Sequence, residues 1–259
     1  MHRRVTRLVV LFGLFGLVAG TGLPSAASAT TQAPQVRAGS GIGQIGVSGN
    51  WSGYAAGVSA GKITYVSANW IVPTVKATKG FSSTWVGIDG ATSSDPSLIQ
   101  TGTDADFTGS GFIYRAWWEI LPAAETIIPG MVVHPGDAMF ASVADISGNT
   151  WLITMKDVTR GEHFSIQKSY KGPGKTIEWI QEAPTGPGGI LPLAHYSTTE
   201  FSSVQAATNF SSPFNPHLVY SQEAIEMRQN GHNVSTPSRP SAAGNAFRVA
   251  YGPVAPPAP

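Results

Sequence analysis

The stretch Phe112-Ile113-Tyr114-Arg115-Ala116-Trp117-Trp118-Glu119-Ile120 has a period of two. Successive side chains of a strand point to opposite faces. Phe112, Tyr114, Ala116, Trp118 and Ile120 therefore share one face, and Ile113, Arg115, Trp117 and Glu119 share the other. The same pattern recurs along the chain. Lys62 to Val72 alternates and is rich in β-branched and aromatic residues. Met139 to Ile146 and Trp151 to Val158 flank Ser147-Gly148-Asn149, a hairpin signal, and Arg160-Gly161 turns the chain toward His163 to Ser169. Thr176 to Gln181, His217 to Ser221 and Ala246 to Tyr251 complete the strand candidates. Ser221 to Gln229 is the best helix candidate, and its pattern is ambiguous. Many short strands with Gly and Pro punctuation predict an all-β, antiparallel sandwich or barrel.

The ends of the chain read differently. Arg3, Arg4 and Arg7 precede an apolar run from Leu8 to Ala19, and Ala27-Ser28-Ala29 offers a cleavage site. Residues 1–29 are thus expected to be an export signal, too short and too soon broken for a membrane span. Residues 30–47 read as a flexible leader or short propeptide, 48–253 as one β-sandwich domain and 254–259 as a Pro-rich tail that cannot join a sheet interior. Removing the signal lowers Lys+Arg from 16 to 13 against 15 Asp+Glu, a formal charge of −2 with His neutral. No basic patch points to nucleic acid and no basic amphipathic helix points to a membrane surface. Charged residues make up 12% of the chain, about half the usual ~25%. Acidification therefore adds little self-repulsion. The chain has no Cys, so an exported domain of this size must be held by its core, and a thiolate metal site is excluded.

Several motifs fail on context. Gly41-Ile-Gly-Gln-Ile-Gly46 has the spacing of a dinucleotide loop but lies in the leader, with no strand before it and no helix after. Gly57-Val-Ser-Ala-Gly61 has the spacing of a nucleophile elbow, yet a strand rather than a helix follows. The six His are scattered and form no zinc motif; His134, before Pro135-Gly136-Asp137, reads as a turn residue. What remains is carboxylates and amides on strands. Glu178, Ile180 and Glu182 share one strand face, as do Arg115, Trp117 and Glu119. A carboxylate facing an aromatic-lined groove is partly desolvated, which raises its pKa toward values useful for proton transfer. Spacing alone does not separate catalytic from solvated glutamates.

Six motifs in order carry more than spacing. They are Asn50-Trp51-Ser52-Gly53-Tyr54, Trp85-Val86-Gly87-Ile88-Asp89-Gly90, Ile99-Gln100-Thr101-Gly102, Ala116-Trp117-Trp118-Glu119, Pro135-Gly136-Asp137 and Glu178-Trp179-Ile180-Gln181-Glu182. Over roughly residues 48–252 the set resembles the glutamic peptidase (eqolisin) family, known from fungal acid peptidases and bacterial relatives. The resemblance implies a concanavalin-like or jelly-roll-like sandwich of two curved antiparallel sheets, with the active site on one concave face. It places the family's catalytic Gln on Gln100 and its catalytic Glu on Glu182, not Glu178. Asp89 and Glu119 fall on the supporting acidic positions, and Trp51, Trp85 and Trp117 on the substrate-binding aromatics. The implied protein is a secreted, monomeric, acid-active endopeptidase. It takes polypeptide substrates, needs no cofactor or metal, and has no nucleic-acid or membrane partner once the signal is removed. A glycoside hydrolase using Glu119 and Glu182, or a non-catalytic sugar- or peptide-binding sandwich, are the alternatives.

Two departures from the fungal pattern stand out. Arg115 replaces an acidic residue, and a cation there is expected to lower nearby carboxylate pKa values and move the pH optimum upward. The disulfides of the fungal enzymes are absent.

Overall fold

The computed structural model describes residues 45–58, 61–91, 96–209 and 221–259. The export signal, most of the leader, and 217–220 of one strand candidate lie outside the described residues. All regular structure among the described residues is strand.

One layer is built from β3 (Ile63–Ile71), β8 (Ala138–Ser147), β9 (Thr150–Asp157), β10 (Glu162–Ser169), β14 (Thr199–Thr208) and β17 (Phe247–Tyr251). The other is built from β2 (Trp51–Gly57), β4 (Ser83–Ile88), β5 (Ile99–Phe107), β6 (Phe112–Ile120), β7 (Thr126–Ile127), β11 (Thr176–Glu182), β15 (Ser221–Gln229) and β16 (His232–Pro237). The order is β10-β9-β8-β3-β14-β17, then β16-β15-β2-β11-β4-β5-β6-β7. The all-β antiparallel sandwich expected from the sequence is borne out, its two layers hydrogen-bonded into one continuous sheet folded on itself. It turns at β17 and β16, where the ladders to β14 and between the two strands are only three residue pairs each. Such short ladders let the layers swing face to face, so that β3 packs on β4 and β11. β12 (Thr185–Gly186) and β13 (Gly189–Ile190) form a separate small hairpin.

Two sequence readings change. The helix candidate Ser221–Gln229 is strand β15, paired with β2 on one side and β16 on the other. Ile225 and Met227 are buried while Ala224, Glu226 and Arg228 are not. Pairing on both edges and this period of two override the helix propensity of its Glu, Ala, Met and Gln. In addition, β1 (Ile45–Ser48) starts inside the segment read as leader and pairs parallel with β15.

The main core lies between the layers. Trp70, Trp151, Trp179 and Phe201 are all 1% exposed or less. Two of the indoles place their N–H across the sandwich: Trp70 Nε1 donates to Thr103 Oγ1 at 3.0 Å, and Trp179 Nε1 to the Ser67 carbonyl at 3.0 Å. A buried indole usually finds such a partner, and these two bonds tie β3 to β5 and β11. The alternation in Phe112–Ile120 holds. Ala116 joins this core with Tyr114, Trp118 and Ile120 against it, while Trp117 enters a second cluster on the opposite face with Trp51, Ala55, Trp85, Leu98, Ile180 and Ile225. The β2–β11–β4–β5–β6 sheet is thus buried on both faces where the site lies.

Glycines shape that second face. A Cβ on Gly102 would collide with the Thr84 carbonyl and come within 2.5 Å of Trp85 Cβ. Gly53 has φ +141°, a region other residues avoid. Trp85 can approach Gly102 this closely because Gly102 has no side chain. Gly102→Ala is expected to cost about 1–3 kcal/mol by overpacking and to displace Trp85; a thermal melt and tryptophan fluorescence on the variant check this.

Candidate active site

Glu182 is the last residue of β11, directly opposite Trp51 on β2 and Ser83 on β4. Its two oxygens each accept a hydrogen bond. Asn50 Nδ2 donates to Oε1 at 3.0 Å and Trp85 Nε1 to Oε2 at 2.7 Å. The Asn50 amide is fixed in this sense because Ser48 Oγ donates to its Oδ1 at 3.2 Å. Trp51 stands edge-on to Trp85, ring centroids 4.9 Å apart. Its indole N–H faces the carboxyl without completing a hydrogen bond. Burial pushes Glu182 up to about 8; the donors from Trp85, Trp51 and Asn50 pull it back, and the charge of Glu119 adds to the rise.

Gln100 sits on β5 directly opposite Glu119 on β6. Its Nε2 donates to Glu119 Oε2 at 2.6 Å, while Gln100 Oε1 and Glu119 Oε1 are buried without partners. Burial raises Glu119 to about 7, against the lowering effect of the Gln100 bond. Glu182, Gln100 and Glu119 all point to the face opposite the main core. Between them the floor is Trp85, Gly102 and Trp117, one cross-strand row.

The remaining sequence candidates fall as follows. Asp89 follows the far end of β4, six residues beyond Ser83, about 20 Å along a strand from the Glu182 row. Both of its oxygens are occupied. Oδ2 accepts from the Tyr170 hydroxyl at 2.7 Å and Gly174 N at 2.9 Å, and Oδ1 from Lys175 N at 2.7 Å. The structure thus places Asp89 as an anchor for the segment entering β11 and does not bring it to Glu182. Trp51, Trp85 and Trp117 are 1%, 0% and 3% exposed. The aromatic positions expected to line a groove form a packed floor, with the Trp85 ring against Gly87 and its Cβ against Gly102. Glu178 shares the Glu182 face but is fully buried, with neither oxygen hydrogen-bonded.

Several residues were not singled out from the sequence. Asp104 and Asp106 follow Gln100 at even spacing on β5, so the period of two was a usable signal. Ser83 carries no such signal, Asn50 opens the first of the six motifs without a role assigned to it, and Glu125 lies in a loop. Arg115 Nε donates to Asp104 Oδ2 at 2.6 Å and Nη2 to Glu125 Oε1 at 2.7 Å. The expected lowering of nearby carboxylates by Arg115 is present but outweighed. Burial dominates, and Asp106 and Glu125 both rise to about 8 despite the guanidinium. Among the described residues no group of three or more His, Asp or Glu is placed to hold a metal ion.

A sandwich with this face defines the class, and the comparisons give the family. The family model described as Peptidase A4 family matches residues 49–251, and the chain belongs to that family, the glutamic peptidases or eqolisins. It is accordingly a glutamic endopeptidase. Scytalido-glutamic peptidase, solved with a transition state analog inhibitor, has TM-score 0.66 and 24% identity over 78% of this chain and 98% of that one. SCP-B, solved with the tripeptide Ala-Ile-His, has TM-score 0.61 and 23% identity, again over 78% and 98%. Aspergilloglutamic peptidase from Aspergillus niger has TM-score 0.57 and 24% identity over 67% and 99%. These structures share the fold. No curated protein matches the chain.

Proposed function

We propose that this peptidase hydrolyses its substrate with Glu182 as general base and Gln100 as oxyanion donor. The observation that carries the reading is the paired arrangement on one sheet face: a Glu182 carboxyl held by donors on both oxygens, and a Gln100 amide held by Glu119. Ionised Glu182 takes a proton from water as the water oxygen bonds to the scissile carbonyl carbon. The carbonyl oxygen becomes the oxyanion and accepts from Gln100. The C–N bond then breaks as Glu182 returns the proton to the leaving amine. A primary amide nitrogen has two hydrogens. One is committed to Glu119, which fixes the amide's orientation and leaves the other for the oxyanion.

The resemblance implies activity in acid, but the proton inventory supports a higher working range. With Glu182 raised to about 8, its ionised fraction at pH 4 is about one in ten thousand. Activity should therefore climb with pH, with the ascending limb of kcat/KM well above the ~4.3 of an ordinary Glu. A profile measured on a short peptide that is already flat above pH 5 would show that the base ionises far below 8. The test of Gln100 is Gln100→Ala, expected to lower kcat about 10²–10³-fold, the usual cost of one oxyanion donor; wild-type turnover in the folded variant would remove Gln100 from the mechanism.

Export rests on the sequence of residues 1–29. The mature protein is expected to begin at Thr30 or later and to act outside the cell as a monomer on unfolded polypeptides. N-terminal sequencing of protein recovered from the medium checks the first point.

A further inference from the structure

Asn50 holds the end of β11 twice. Its Nδ2 donates to Glu182 Oε1 at 3.0 Å, and its backbone carbonyl accepts from Ala183 N at 2.8 Å. Which end of the amide meets the carboxyl depends on what holds the other end, because an Asn side chain has an accepting oxygen and a donating NH₂. That holder is Ser48, 1% exposed and the last residue of β1. Its Oγ accepts two backbone N–H groups, from Asn50 N at 3.3 Å and Trp51 N at 3.1 Å. A hydroxyl has two acceptor sites and one hydrogen. With both sites taken, only the hydrogen is left, and it goes to Asn50 Oδ1 at 3.2 Å. The Asn50 oxygen is thereby kept on the Ser48 side and the NH₂ on the Glu182 side.

β1 holds Ser48 in place. It pairs parallel with β15, Ser48 opposite Met227, and Gln229 Nε2 donates to the Gly49 carbonyl at 3.1 Å. If the Asn50 amide turned over, its oxygen would face Glu182 Oε1, and two acceptors share such a contact only when the carboxyl is protonated. A protonated Glu182 takes no proton from water. Of the charged groups on this face, Asp104 and Arg115 continue the Glu182 row through Ser83 across β4, β5 and β6 and pair with each other at 2.6 Å, and Arg115 also binds Glu125. The charge of Glu119 on β6 raises Glu182. The Asn50 side chain is bonded to Ser48 and Glu182 and to none of these four, so they do not set its sense.

We propose that Ser48 is a positioning residue for the reaction: by holding Asn50 in its donating sense it keeps Glu182 available as the ionised base, so that the seating of β1 bears on catalysis. The proposal rests on the Glu182 reading given above. Ser48 exchanges no proton in the step. It acts through Asn50, whose donated hydrogen bond favours the ionised carboxylate over the neutral acid.

The test is the pH profile of kcat/KM on a short fluorogenic peptide, read as the ratio of variant to parent from about pH 5 to about pH 9.5 in short assays, with thermal melts alongside. In Ser48→Ala the ascending limb should move up by about one pH unit, the scale on which one donor acts on a carboxylate. The variant is then about tenfold slower below the limb and closes on the parent above it, with KM within about twofold throughout. Lost packing alone would lower the ratio equally at every pH. Ser48→Thr, which keeps the hydroxyl, should return the limb to its parental place. Asn50→Ala removes the donor and should shift the limb at least as far. The Ser48→Ala/Asn50→Ala double variant should shift it no further than Asn50→Ala, because Ser48 acts through Asn50. A pH-independent ratio in folded Ser48→Ala, a limb still shifted in folded Ser48→Thr, or an additive shift in the double variant overturns the proposal. Should Ser48→Ala not fold, Asn50→Ala decides, since it leaves Ser48 and its two N–H donors in place: a moved limb supports the proposal and an unmoved one overturns it. Retained activity in Glu182→Gln would instead bring down the Glu182 reading itself, so the two failures are distinguishable.

Discussion

Glu182→Gln is expected to remove nearly all activity, with kcat/KM falling about 10⁴-fold, the upper end of what a positioned acid–base group supplies. The loss should be this large because one side chain serves twice, taking the water proton and returning it to the amine. The variant also tests the local geometry. Both Glu182 oxygens accept, from Asn50 Nδ2 at 3.0 Å and Trp85 Nε1 at 2.7 Å. A Gln must turn its NH₂ toward one of these donors, at a cost of about 1–3 kcal/mol. For a domain of this size that is a melting shift of roughly 2–12 °C, which leaves a folded protein at assay temperature. The decisive comparison is activity per folded molecule. If Glu182→Gln keeps its near-ultraviolet circular dichroism and more than a tenth of parental kcat/KM, Glu182 is not the base.

The strands were legible because burial on both faces still leaves a period of two. On β6, Ala116 and Trp117 belong to different clusters, and each cluster selects its own parity. On β11 the same rule puts Glu182 with Glu178 and apart from Gln181, which instead accepts from Thr84 Oγ1 at 2.8 Å between the layers. Pattern alone failed where pairing decided the outcome. β15 has a helix-forming composition, and only the strands on either side hold it extended. In the candidate site, Gln100 and Glu182 were legible through ordered motifs. The Ser83–Asp104–Arg115 row was not, because it depends on the register of three consecutive strands, which periodicity along each strand does not fix. Asp89 illustrates the converse. Its motif lies beside the floor residue Trp85 in sequence, yet extension along β4 carries it to the other end of the sheet, where a positive φ and three donors hold it in a turn.

Thermal stability should fall steeply as pH rises from about 5 to about 9. Glu119 is raised to about 7, and Asp106, Glu125 and Glu182 to about 8, in each case chiefly by burial. Glu178 is raised well above the ordinary range by burial, with the charge of Asp89 adding to it; Thr176 and Ala91 approach without completing hydrogen bonds. The unfolded chain releases these protons near 4 to 4.5, whereas the folded chain keeps them. Between those limits the native state binds more protons than the unfolded state, so each rise in pH favours unfolding. The stabilisation is complete below pH 4, is lost progressively above it, and is gone once the folded groups themselves ionise above about 8. A tenfold difference in proton affinity between the folded and unfolded chain is worth about 1.4 kcal/mol, so a single such group matters against a total stability of about 5–15 kcal/mol. Asp137 acts the other way. Despite burial, donation from His134 N and Arg160 lowers it, so its contribution is present above its unfolded value and lost in acid. Glu178→Gln separates these contributions, because it keeps the shape of a side chain with no partner to lose and deletes only the titration. The variant should melt above the parent at pH 8.5 and close to it at pH 4.5. Parallel melting curves for parent and variant across this range would mean that Glu178 is ionised in the fold and that another group supplies the pH dependence. A raised melt at pH 8.5 alone ties the alkaline limit to carboxyls buried on the same sheet face that holds Glu182, so that the burial raising the base toward neutrality also sets the pH at which the domain fails.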